Sequence, residues 1–202
     1  MKKLCVFVVG TLFTASCFAQ GKPVWGIKGG LNFATYHHAN KDVQATLDAR
    51  TGFHLGIISH NHLTDKIAIQ PELQFSTQGT EVNVANEDFE YQLKYINLPV
   101  MFQYMFHNGF RVEAGPYIGA LIGAKDVYDD GTEDDSKDDY KTFDGGLGLG
   151  LNYLTYSGFG IGGRYNIGLA NINDRVGSKV QNRVFQLSLF YMFDNDHKRK
   201  SR

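Results

Sequence analysis

The sequence predicts an all-β fold, an eight-stranded antiparallel up-and-down transmembrane β-barrel. Three observations carry that prediction. Eight segments of roughly ten residues alternate apolar side chains with polar groups or glycine, which is the dyad period of a strand with two different faces. The connections between them alternate short and long. No run of about 20 apolar residues follows the first 19 residues, so a helical span is excluded, and lipid then leaves a closed barrel as the way to pair every backbone polar group.

The first segment, Val24–Thr35, sets Trp25, Ile27, Gly29, Leu31 and Phe33 against Gly26, Lys28, Gly30 and Asn32. The second, Thr51–His60, opposes Phe53, Leu55 and Ile57 to Gly52, His54 and Gly56. In the third, Ile67–Ser76, an apolar set from Ile67 to Phe75 faces away from Gln70, Glu72 and Gln74. The fourth, Phe89–Tyr104, changes phase between Tyr91/Leu93/Tyr95 and Ile96/Leu98/Val100/Phe102, a slip that predicts a β-bulge in this strand. The fifth, Phe110–Ile122, follows the turn His107-Asn108-Gly109 and places Arg111, Glu113, Gly115, Tyr117 and Gly119 on one face. The sixth, Thr142–Tyr153, puts Asp144, Gly146, Gly148, Gly150 and Asn152 opposite Phe143, Leu147, Leu149, Leu151 and Tyr153. The seventh, Phe159–Ala170, places Arg164 among glycines, and the eighth, Val184–Phe193, sets Gln186 and Ser188 against aromatic and leucine residues. Closure requires Val24–Thr35 to pair with Val184–Phe193.

Short connections at Asn61–Lys66, Met105–Gly109 and Leu154–Gly158 alternate with long ones at Tyr36–Arg50, Thr77–Asp88, Gly123–Lys141 and Asn171–Arg183. Outer-membrane barrels show this asymmetry, with short periplasmic turns and longer outer loops. Trp25, Phe102, Tyr104, Phe110, Tyr153, Phe159, Tyr191 and Phe193 fall at the strand ends nearest the short turns, where an interfacial aromatic girdle belongs.

The ends fix the expected compartment. Lys2 and Lys3, the apolar Leu4–Phe13 and the small residues around Ala15–Ala19 read as a signal peptide over 1–19. Residues 20–193 form the barrel domain, and 194–202 form a basic periplasmic tail. Cleavage removes Cys5 and Cys17, leaving no thiol for a disulfide, a thiolate metal site or a cysteine nucleophile. It also removes two of the 20 Lys and Arg, so 18 face 21 Asp and Glu, a balance that gives no reason to expect nucleic acid. The expected surroundings are outer-membrane lipid and lipopolysaccharide, around a monomeric barrel.

The pieces WGIKGGLNFA, YINLPV, AGPYIGALIGAK, FDGGLGLGLNY, RYNIGLANI and LSLFYMF occur in an order and spacing that resemble the PorT-like outer-membrane β-barrel proteins. The resemblance spans the mature chain. It implies an eight-stranded outer-membrane barrel and an association with secretion or surface assembly of proteins. One departure stands out: Phe193 is followed by nine polar residues, Asp194–Arg202, where such barrels commonly end on the aromatic.

Candidate chemistry sits in two places. The inward face carries Lys28, Glu72, Arg111, Glu113, Asp144 and Arg164, with Gln70, Gln74, Asn97, Asn152 and Gln186. A barrel of eight strands is wide enough only to be filled by side chains. Buried charge needs partners, so Glu72 and Glu113 are expected among Arg111, Arg164 and Lys28. The loop Lys125–Lys141 holds eight acids, of which Asp129, Asp130, Asp134 and Asp135 are the candidates for a divalent cation, although their spacing matches no EF-hand. Seven histidines, including His37/His38 and His60/His62, accompany no metal motif, and no resident metal or cofactor is expected. The leading expectation is a non-enzymatic structural or interaction barrel presenting outer loops. The alternatives are a narrow channel, a lipid-A-modifying barrel enzyme and a secreted lipocalin-like binder.

Overall fold

The computed structural model describes residues 22–38, 46–84, 87–128, 132–173 and 179–193. Eight long strands wind into a closed antiparallel barrel: β1 (Val24–His38), β3 (Arg50–His62), β4 (Ile67–Val84), β5 (Glu87–Met105), β6 (Phe110–Val127), β8 (Phe143–Leu154), β9 (Phe159–Gly168) and β10 (Val180–Met192). Two three-residue strands stand outside the wall: β2 (Thr46–Asp48) adds to β4 and β7 (Glu133–Asp135) folds back on β6. Each long strand pairs with its neighbour in sequence. The seam runs between β1 and β10, from Gly26 opposite Met192 to His38 opposite Val180, the closure expected from the sequence.

Alternation places the two faces as read. Ile27, Leu31, Leu55, Ile57, Leu73, Leu147, Leu149, Leu151, Leu187 and Leu189 all lie exposed on the outer wall, while Lys28, Asn32, Glu72, Gln74, Glu113, Arg164 and Gln186 are buried inside. A lipocalin-like binder needs the apolar face inward; here it is outward. Aromatic pairs mark the end that bears the short turns: Phe110 on Tyr153 at 5.0 Å, Phe159 on Tyr191 at 4.7 Å and Tyr104 on Phe106 at 5.0 Å between ring centroids. A second aromatic level that the sequence reading missed includes Phe33 on Phe185 at 6.3 Å and Phe53 on Phe75 at 5.7 Å. Trp25 and Phe33 are eight residues apart on β1, about 26 Å along a strand. A tilt near 40° reduces that to about 20 Å of height, close to the roughly 25 Å apolar band of such barrels.

This wall carries a direct test. Leu149→Arg puts a cation at mid-wall and is expected to cost about 2–4 kcal/mol of stability in lipid vesicles. A soluble barrel would tolerate the same exposed charge, so unchanged urea resistance would refute a lipid-facing wall.

Three turns join the strands at one end. Phe106 donates its N–H to Phe110 O at 2.8 Å and Thr155 donates to Phe159 O at 2.8 Å. Gly109 and Gly158 adopt φ of +91° and +95° in these turns, which glycine takes without the Cβ penalty. The opposite end differs from expectation. Residues 77–84 and 87–88 were expected in a loop but extend β4 and β5 into a long hairpin arm, while β6 runs on to Val127. The reason is continued pairing: Thr77 to Val84 stay in register with Lys94 to Glu87.

The expected bulge exists, but in the partner strand. β5 keeps one phase, with Leu93, Tyr95, Asn97, Met101 and Gln103 all buried. Lys94 faces Gly123 while Tyr95 faces Leu121, which leaves Ile122 of β6 as the extra residue. What changes along β5 is the interior it faces. Tyr36, Leu93, Tyr95, Leu121, Ala124, Ile172 and Val180 form an apolar cluster at the loop end. Val24, Ile58, Leu154, Phe190 and Met192 form another at the turn end. The polar residues fill the storey between.

Candidate functional site

Arg164 is the centre of that middle storey. It is 1% exposed and reaches across the lumen from β9. Its Nη1 and Nη2 donate to Glu72 Oε2 and Oε1 at 2.8 and 2.6 Å, a bidentate fork, and its Nε donates to Glu113 Oε1 at 2.7 Å. Lys28 Nζ adds an ion pair to Glu72 Oε2 at 3.5 Å. Side-chain amides serve the same carboxylates. Gln70 and Gln74 donate to Glu72 at 2.8 and 2.6 Å, and Gln103 donates to Glu113 Oε2 at 2.8 Å. Charges taken out of water survive only with this density of partners.

The glycine face of the wall makes room for the network. A Cβ on Gly150 would stand 2.8 Å from Glu113 Oε1, and one on Gly148 would stand 3.4 Å from Arg164 Cδ. The glycines of FDGGLGLGLNY therefore form the floor on which the long charged side chains lie. Beside the ion pairs, Asn32 Oδ1 accepts from Gln186 Nε2 at 3.1 Å and lies 2.8 Å from His54 Nδ1, while His54 Nε2 lies 3.0 Å from Ser188 Oγ. His54 thus belongs to a lumen-filling hydrogen-bond chain, which the sequence reading did not assign to it.

Two expected members stand apart. Asp144 does not join Arg164; it sits toward the loop end, accepting from Asn182 Nδ2 at 2.8 Å, Tyr117 Oη at 3.4 Å and its neighbour Gly145 N at 2.7 Å. Strand register explains this, because Asp144 lies opposite Gly119 whereas Glu113 lies opposite Gly150. Arg111 is buried at 3% exposure, yet among the described residues no carboxylate lies within 4 Å of it, and its Nε has no hydrogen-bond partner. Glu113, two residues along the same strand, is already engaged by Arg164 and Gln103.

Of the loop acids, Asp129 and Asp130 lie outside the described residues, as do 1–19 and the tail 194–202. Asp134 and Asp135 are exposed on β7, and adjacent strand residues point to opposite faces. Among the described residues no group of three or more metal-ligating side chains assembles. Asp135 Oδ1 instead accepts from Lys137 N at 3.1 Å, and Lys125 pairs with Glu133. The Lys125–Glu133 hydrogen bond raises the ammonium and lowers the carboxyl from their ordinary pKa values. On the outer wall, a groove of about 510 Å³ is lined by Ile27, Leu55, Tyr153, Phe159, Ile161 and Leu189, a lining suited to acyl chains.

Comparison with known proteins agrees with this architecture. The family model described as outer membrane protein beta-barrel domain matches residues 18–174. Neisserial surface protein A superposes with a TM-score of 0.54 at 12% identity, covering 84% of this chain and 97% of that one. Ail, the attachment invasion locus protein of Yersinia pestis, superposes with a TM-score of 0.51 at 15% identity, covering 86% and 100%. At such identities the likeness is one of fold. No curated protein matches the sequence.

Proposed function

The chain belongs to the outer membrane protein beta-barrel domain family, and from that premise we propose that it is a plugged, non-enzymatic outer-membrane barrel that carries an interaction platform on its outer rim. The observation that carries this reading is the filled lumen. Arg164, Glu72 and Glu113 are each at most 3% exposed and cross-link β4, β6 and β9 through the barrel axis, with apolar clusters above and below. This packing across the axis supports a plugged lumen over an open water path.

The outer rim supplies the platform. The β4–β5 arm rises beyond the other strands and gains β2 on its flank. Thr80 Oγ1 donates to Asp48 O at 3.0 Å, and Arg50 pairs with Glu90 across the arm. Beside it stands the acid-rich hairpin of β6 and β7. A paired, side-chain-bolted rim of this kind suits a protein partner, because it holds a fixed shape at little further entropic cost on binding. The PorT-like resemblance makes protein secretion or surface assembly the service proposed, with delivery by the 1–19 signal peptide, lipid and lipopolysaccharide around the wall, and the basic tail on the periplasmic side. A narrow channel is the second reading.

Reconstitution in planar bilayers separates the two. The plugged barrel is expected to give no stepwise conductance under applied voltage, while a deletion strain loses export or surface display of its cargo proteins and keeps its small-solute uptake. Reproducible single-channel steps from purified protein would replace the platform with the channel.

A further inference from the structure

We propose that the turn-end half of the lumen holds a small monovalent anion, of halide size, bound between Arg111 and Asn152. Three observations converge on it. First, Arg111 is a buried cation with no carboxylate within ion-pair distance among the described residues. Second, Asn152 lies directly opposite Arg111 in the β6–β8 register, is 6% exposed, and its Nδ2 also has no partner. Two unsatisfied N–H donors thus belong to residues paired directly across neighbouring strands. Third, the local charge does not balance. Among the described residues, Lys28, Arg111 and Arg164 face only Glu72 and Glu113 in the middle and turn-end storeys.

Asp144 does not supply the missing charge. It lies opposite Gly119, eight residues along β6 from Arg111, or about 26 Å along the strand. Both carboxylate oxygens of Glu113 are committed to Arg164 and Gln103. At 3% exposure Arg111 is only weakly screened by bulk water. An uncompensated charge in such a place is costly, and an anion taken up as the barrel closes neutralises it. Gln103 Oε1, a third atom without a partner, is an acceptor, which favours one water retained beside the anion. Gly162 contributes space, since a Cβ there would lie 1.9 Å from Asn152 Oδ1 and would displace the amide. The site uses Arg111 and Asn152, neither of which takes part in the Arg164 network, so it stands whether or not the platform reading holds.

The test is to refold the protein in bromide, crystallise it and collect data at the bromine absorption edge. The expected result is an anomalous peak within hydrogen-bond distance of Arg111 and Asn152. Refolded in chloride, the barrel is expected to melt at a higher temperature than in gluconate at matched ionic strength. Arg111→Gln should abolish that difference, and Asn152→Ser should raise the half-saturating bromide concentration about tenfold. If Arg111→Gln does not refold, the Asn152→Ser titration still decides. A crystal with water alone beside Arg111, or a chloride effect that survives both substitutions, overturns the site.

Discussion

Replacing Arg164 with methionine is expected to cost the folded barrel about 3–5 kcal/mol, the range for removing one partner of a buried ion pair. The variant retains the bulk and loses the charge. Glu72 on β4 and Glu113 on β6 are then left in the lumen without the fork and the Nε–H that hold them. Lys28 remains, but at 3.5 Å it touches only Glu72. The readout is the urea midpoint for refolding in detergent, scored on unboiled gels by the faster mobility of the folded form. A triple variant that adds Glu72→Gln and Glu113→Gln should recover most of the loss, because it removes the stranded charges too. An unchanged midpoint for the single variant would mean that water already reaches the network, and the channel reading would return.

The second large effect is steric. Gly30→Val is expected to prevent closure, leaving no heat-modifiable band after refolding. A Cβ at Gly30 would lie 1.9 Å from Leu187 O and 2.8 Å from Ser188 Cα, both backbone atoms of β10 across the seam. Overpacking against mobile side chains typically costs about 1–3 kcal/mol. A strand backbone cannot rotate aside, so the cost here exceeds about 3 kcal/mol on the same scale. Gly29 is the matched control. It faces outward, its nearest neighbours would stand 3.4 Å from an added Cβ, and Gly29→Ala should fold as the unmodified chain does. Equal refolding of both variants would show that β1 and β10 separate more easily than their register implies.

These effects rest on residues with different legibility. The wall was readable because a strand flips faces at every residue, so Leu147, Leu149 and Leu151 announce an apolar surface without any knowledge of their neighbours. The Arg164 network was readable in part. Burial of a charge demands a partner, and the sequence offers few on the inner face. Which acids meet which cation depends on register between strands distant in sequence, and that is why Arg111 is expected among acids that it does not touch. The apolar storeys were the least legible. Leu93 and Tyr95 face inward, yet an apolar inward residue is indistinguishable by period from a lipid-facing one, and the pattern imitates a phase slip. The rim failed for another reason: Thr77–Val84 and its partner segment are polar enough to read as loop, but paired backbone groups need no apolar face to hold a ladder.

The seam between β1 and β10 also orders events in time. The strand that starts the wall waits for the last one, since Gly26 finds its partner only at Met192. A ribosome that has translated as far as residue 174 has made every strand but β10, and that product carries two open edges, on β1 and on β9. Each edge offers unpaired backbone groups to any other chain nearby. Until β10 pairs, the unclosed chain is therefore open to pairing with its own copies. The segment Val180–Met192 acts as a latch rather than as one more stave.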